Sequence, residues 1–389
     1  MGNYIASNAN RFYVAAETIY GQAASISSSN RFPAVRLQAQ QLLASGRRLD
    51  KTGTRTFLGN PTTARRQTAF EARTYLTSWS GSSEPSYGPL FQAALGAQPN
   101  LSSGLSVASL QNNTQIQTTI AHGLSFGSGV SYSGEIRFVT SVIDASTFTV
   151  NAPFTNTPAA NAALSPCITY PLAISLPSLT LYDYWDPVTA VSRVITGAAV
   201  DTFALSVDGD FHEFVFRGPA CDLLDSSSFI GGAAGLSTFP AEPTLTTFDY
   251  SIVPGHLGEA WLGSAPNQFF TLTGASIEVN NNIEVRNQEF GSSYPRAIAP
   301  GMRQVASTFT LFAQDDAQTT ALYAAAKQRA PVSAMLQLGQ QQGKLMGVFM
   351  ETVTPEIPNY DDSETRLRWA FKNNLAQGTS ENEIYIAFA

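Results

Sequence analysis

Residues 302–312 read MRQVASTFTLF, and residues 65–76 read RRQTAFEARTYL. In the first stretch Val305, Ser307, Phe309 and Leu311 alternate with Gln304, Ala306, Thr308 and Thr310. A period of two with one polar face is the mark of a strand buried on one side and wet on the other. Both stretches open on Arg-Gln, at Arg66-Gln67 and Arg303-Gln304. A turn-rich segment precedes each, at 43–64 and 287–301, and before these come further strand patterns at 34–41 and 276–286.

A short helix pattern follows each stretch. The first is Tyr87–Leu95, with Pro89 near its start and Gly96 after its end. The second is Asp316–Arg329, with acids at the front, bases at the back and Pro331 beyond. Hairpins come next: Val200–Phe216 around Asp208-Gly209, and 334–338 into 345–353 around Gln341-Gln342-Gly343. Leu367, Trp369 and Phe371 alternate again near the end. The order strand, long loop, strand, short helix, hairpin therefore occurs twice, which predicts an internal duplication.

Residues 101–165 interrupt the first copy. They are poor in charge and rich in Asn, Thr, Ser, Gly and Ala. Strands are expected at 118–122, 129–132, 135–143 and 147–150, forming a small inserted β domain with hinges at SSGLS and TNTPAANAALSP. The fold class is thus mainly β with short flanking helices. The expected domains are 1–100 with 166–245, the insertion 101–165, and 246–389.

The chain has 389 residues, of which only 13% are charged, and a net charge of -7. That excludes a uniformly basic nucleic-acid binder. Two cysteines supply neither a disulfide framework nor a four-ligand zinc site, and no cofactor is expected. No apolar run is long enough to span a membrane, and the opening MGNYIASNAN is not a signal peptide and only loosely fits a myristoylation signal. Residues 1–80 nevertheless carry ten basic and three acidic side chains. Arg47, Arg48, Lys51, Arg55, Arg65 and Arg66 form a cluster suited to an acidic partner surface.

Catalytic patterns are weak. Gly123–Gly127 fits G-x-S-x-G, but the Gly- and Ser-rich residues after it cannot form the required helix. Asp315-Asp316 reads as a helix start and Asp361-Asp362 as a loop. His212 lies alone on a strand pattern, and 339–344 is a hairpin with the wrong spacing for a phosphate loop. An enzyme is not expected. A sugar-binding reading would need Tyr182, Tyr184 and Trp185 as an exposed platform.

Several phrases together resemble the major tail tube proteins of long-tailed (siphovirus-type) bacteriophages, in a two-domain form. They are NRFYVAAETIYG, NRFPAVRLQAQ, KTGTRTFLGNPTTARRQTAFEARTYLTSW, SYGPLFQAALG, GDFHEFVFRGPACDLLD, RQVASTFTLFAQDD and VTPEIPNYDDSE. The resemblance implies duplicated β-sandwich domains whose inner strands close into a barrel with those of neighbours. Single-domain members form hexameric rings, so a duplicated chain implies trimeric, pseudo-hexameric rings stacked into a tube. It implies a virion location after assembly in the host cytoplasm. Its partners would be further copies, tail-tip and tail-terminator proteins, a tape measure protein in the lumen, and passing double-stranded DNA without specific binding, with no membrane. The loops 43–64 and 287–301 would reach the next ring, with Arg296 contributing from the second. The terminal strands 12–16 and 384–388 would add to neighbouring sheets, and the lumen face would be polar or acidic. Another tail or baseplate component with a tube-like fold is the alternative.

Overall fold

The computed structural model describes residues 4–389 except 47–48, 60–63, 82, 208, 246–250 and 264–266. Met1, Gly2, Arg47, Arg48 and Asp208 of the sequence reading thus lie outside the described residues.

The chain begins with β1 (Asn10–Ala16), β2 (Arg31–Phe32), β3 (Ala34–Ala44), β4 (Arg65–Tyr75) and helix α1 (Gly88–Leu95). Then come β5 (Asn100–Ser102), β6 (Val107–Leu110), β7 (Gln115–Thr118), β8 (Gly129–Tyr132), β9 (Glu135–Val142), β10 (Thr147–Val150) and β11 (Cys167–Tyr170). The first half ends with β12 (Leu179–Trp185), β13 (Arg193–Ala198), β14 (Thr202–Val207), β15 (His212–Ala220) and β16 (Asp222–Asp225). The second half opens with β17 (Gly258–Gly263), β18 (Asn267–Gln268), β19 (Leu272–Asn280), β20 (Glu284–Val285), β21 (Ile298–Ala299) and β22 (Gln304–Phe312). Helix α2 (Ala317–Gln328) follows, then β23 (Val332–Leu338), β24 (Met346–Thr354), β25 (Asn359–Asp361), β26 (Arg368–Ala376) and β27 (Tyr385–Phe388).

The fold is mainly β, as its alternating patterns require. The pairings repeat. In the first half β1 pairs β12 and β12 pairs β13, while β3 pairs β4, β4 pairs β15 and β15 pairs β14. In the second half β17 pairs β23 and β23 pairs β24, while β19 pairs β22, β22 pairs β26 and β26 pairs β25. Every one of these ladders is antiparallel. β14 also pairs β19, from Thr202↔Asn280 to Val207↔Ala275, so both halves share one continuous sheet. Tyr75 and Phe312 each end their strand, and Arg66-Gln67 stands as far before the first as Arg303-Gln304 before the second.

Helix α1 is buried on every side, which suits an almost wholly apolar segment. The Phe91 ring lies 5.2 Å from each of Phe203, Phe214 and Phe216, and 5.1 Å from Phe388 of β27. The helix ends at Gly96, whose φ of +104° favours glycine. A Cβ there would sit 2.7 Å from the Ser175 carbonyl. Helix α2 is only half covered, by Leu322 and Ala326. Its start is set by Asp316, whose carboxylate accepts from the Thr319 N–H at 2.6 Å.

Some expectations change. The strand expected at 118–122 lies at Gln115–Thr118. Thr118 Oγ1 donates to the Ile120 carbonyl (2.6 Å) and His122 Nδ1 accepts from the Leu124 N–H (2.9 Å), and these local bonds favour a turn. The strand expected to reach 286 stops at Asn280, because buried Asn281 donates to the carbonyls of Ala94 and Val200, both at 2.9 Å. The terminal strands are not free to join neighbours: β1 lies between β12 and β2, and β27 between β11 and β24.

Strands β6–β10 form their own five-stranded sheet, as the composition break at 101–165 suggests. The flanks are not hinges. β5 pairs β11, and the two connectors bond to each other through Leu164 N to Leu105 O (2.8 Å) and Val107 N to Ala162 O (2.9 Å). Arg137 fixes the sheet to the body. Fully buried, it lies 4.1 Å from the Trp261 ring of β17 and donates to Glu135 (2.8 Å) and Gln337 of β23 (3.3 Å).

Candidate assembly edges and loops

Within the long sheet the run β3-β4-β15-β14-β19-β22-β26-β25 is continuous and has two ends. At one end β3 pairs only β4, and at the other β25 pairs only β26. Strand β3 is eleven residues long and leaves Val35, Arg36, Gln38, Gln40, Leu42, Leu43 and Ala44 exposed. A long, exposed, partly apolar edge is a template for pairing with another chain. Tyr360 on β25 is 57% exposed, with its ring 5.6 Å from Trp369.

The predicted basic cluster divides in two. Arg66 is engaged inside the chain. Its Nη1 donates to Asp222 at 3.0 Å, its guanidinium lies 4.6 Å from the Tyr294 ring, and its N–H donates to the Ser293 carbonyl at 2.8 Å. Arg65 reaches the Gln288 carbonyl at 3.4 Å. The bases of the two long loops are therefore joined. Arg296 sits 3.7 Å from Glu289, which also pairs with Arg286. Lys51 and Arg55 are exposed, and Arg47 and Arg48 lie outside the described residues. Arg303, the counterpart of Arg66, is anchored likewise, to Glu381 at 2.6 Å and Glu383 at 3.5 Å.

The face of this sheet away from the core is wet and carries a chain of charges that sequence reading did not find. Glu71 accepts from Arg73 Nε and from Arg217 Nε, each at 2.6 Å, and Arg73 Nη1 reaches Glu213 at 3.3 Å. The two guanidinium contacts, Arg217 first, hold the Glu71 carboxyl below its usual range. Cross-strand register was the missing information: Arg217 pairs directly with Glu71, and Glu213 with Tyr75. Arg36, Arg65, Arg368 and Lys372 share this face, with Glu278 and Asp361 as further acids, so bases still outnumber acids there.

The catalytic patterns do not assemble. Ser125 Oγ lies 3.3 Å from Ser128 Oγ in a turn, and strand β8 follows, with no helix. Asp316 caps a helix and Asp361 accepts from Ser363 in a turn. A groove of about 440 Å³ beside the β14–β19 seam is lined by His212, His256, Gln337 and a single carboxylate, Glu259, one short of a glycosidase pair. Among the described residues no group of three His, Cys, Asp or Glu could hold a metal ion. No described helix is long and apolar enough to cross a membrane. Tyr182 and Tyr184 make no sugar platform. Both are buried beneath Phe229, Leu236 and Phe239 of the segment between the halves. That segment is held by Glu242, which accepts from Arg11 (2.5 and 2.7 Å) and Tyr13 (2.9 Å).

The described residues thus present open sheet edges at β3 and β25 and a wet, charged sheet face. The family model described as phage tail tube protein matches residues 7–367, and the chain belongs to that family. A search of curated proteins found no match. The family is a structural one, built into the virion tail, whose members assemble with themselves and other tail proteins into a tube.

Proposed function

We propose that this chain forms rings of three with pseudo-sixfold symmetry, which stack into a tube that conducts genomic DNA in a siphovirus-type phage. The observation that carries this is the seam between β14 and β19. It joins two sets of strands with the same pairings, edge to edge. Repeating that junction between chains brings β3 of one copy against β25 of the next, and both of these edges are open among the described residues. Three chains of eight strands give about 24 strands and a barrel roughly 45–50 Å across between backbones, at ~4.8 Å spacing and ~40° tilt. A nucleic-acid duplex fits that bore.

The two repeated units correspond to residues 1–100 with 166–245 and to 246–389. The insertion 101–165 sits on the second unit's other sheet and faces outward. Stacking is head to tail, an open-ended contact that gives a filament. Lys51, Arg55, Arg65 and Arg296, with Arg47 and Arg48, reach the adjacent ring, while Arg66 holds the loop base. Tail-tip and terminator proteins cap the tube, a tape measure protein fills it before ejection, and assembly takes place in the host cytoplasm.

Negative-stain electron microscopy of the concentrated protein, alone and with tail-tip extract, tests this. Hollow uniform tubes with threefold averaged cross-sections are expected. Closed rings that never extend, even when seeded, would instead favour a distal tail or baseplate component.

A further inference from the structure

The tube reading leaves open what the duplex meets as it passes, and the wet face gives an answer that rests on that reading. The buried face of the long sheet packs against α1 and the second layer of strands. A ring closed through β3 and β25 must keep that bulky layer outside, which turns the opposite face to the bore. On the first unit this face presents Arg36, Arg73 and Arg217 against Glu71 and Glu213. Free arginines at such density would neutralise phosphates one by one and hold the duplex. They are not all free. Arg73 and Arg217 both spend their Nε on Glu71, and Arg73 also reaches Glu213.

We propose that this face contacts the phosphates of duplex DNA, and that Glu71 and Glu213 hold Arg73 and Arg217 within the plane of the sheet so that the duplex slides instead of binding. The glutamates tune friction. They leave enough positive charge to keep the polyanion from being repelled, and pair enough of it to prevent arrest.

The test uses the full chain and a random-sequence 30-base-pair duplex, with affinity read by fluorescence anisotropy across a salt series. The wild type should bind weakly. Glu71→Gln with Glu213→Gln should tighten binding about tenfold at low salt and steepen the log-affinity against log-salt slope by about two. Adding Arg73→Gln and Arg217→Gln should return both readouts to the wild-type level. Should the double variant fold poorly, Glu213→Gln alone should steepen the slope by about one. Unchanged affinity and slope in folded variants would overturn the inference. Tubes still formed by those variants would leave the tube reading standing, whereas absence of tubes from the wild type would remove that reading itself.

Discussion

Leu205 of β14 and Ile277 of β19 are direct partners across the seam that joins the two halves, and both are buried. Counting from Glu213 and Arg368, the matching positions at the open ends are Tyr360 of β25 and Ala39 of β3. The same count sets Asp361 opposite Gln38, with Arg36 two residues along on the same face.

This register predicts a charge swap. Asp361→Lys should raise the protein concentration needed for tubes at least tenfold, with only a small fall in the melting temperature of the subunit from the lost turn bonds to Ser363. Arg36→Glu added to it should restore assembly. Sedimentation and electron microscopy read the outcome, and independent effects of the two changes would reject the register.

Arg66 is expected to act on the fold of its own chain. The Asp222 side chain is only 7% exposed and would lose its cation in Arg66→Ala. Arg66 itself is one-third exposed, so the cost should be modest, about 1–2 kcal/mol. Amide exchange near Tyr294 should rise, because the loops lose their tie. Neutralising Lys51 and Arg55 should leave melting unchanged and weaken ring stacking only.

Arg137 joins the inserted sheet to the body from a fully buried position. Arg137→Ala strands Glu135 and opens a cavity beside Trp261, so a loss of about 3–5 kcal/mol is expected. Limited proteolysis should then release 101–165 faster than the rest. Equal rates across the chain would show that other contacts hold the insertion.

Glu84 supplies a pH test. Burial raises its carboxyl above the ordinary value of 4.5, and the Tyr170 hydroxyl, donating at 3.0 Å, offsets this only in part. The stability it contributes is full below pH 4.5 and is lost as pH rises through the folded value. Glu84→Gln keeps an acceptor for Tyr170 and has no charge to bury. Its melting temperature should match the wild type near pH 4 and exceed it at pH 8. A difference independent of pH would reject this account.

Period-two alternation placed β22 in the sequence, the shared Arg-Gln start and element order placed β4, and Pro89, Gly96 and Asp316 marked both helices, because these signals are local. The seam was not legible, since nothing near Leu205 says that Ile277 faces it. The Arg66 anchor was hidden for the same reason: Asp222 and Tyr294 lie far along the chain. Basic residues look alike in sequence, and only cross-strand register separates Arg217, held by Glu71, from Arg55 in open solvent. Local side-chain bonds around His122 and Asn281 ended strands that apolar patterning alone would have extended.

Because β14 and β19 belong to one polypeptide, half the seams in the proposed ring of three would form without any encounter between molecules. Their partners start at the high effective concentration that a covalent link provides. Closing such a ring takes two successive captures where six separate units would take five. Fewer partial arcs then compete for material, and no arc can carry an odd number of units. The nucleus of a tube becomes smaller, and its order of assembly simpler, before any initiator is present.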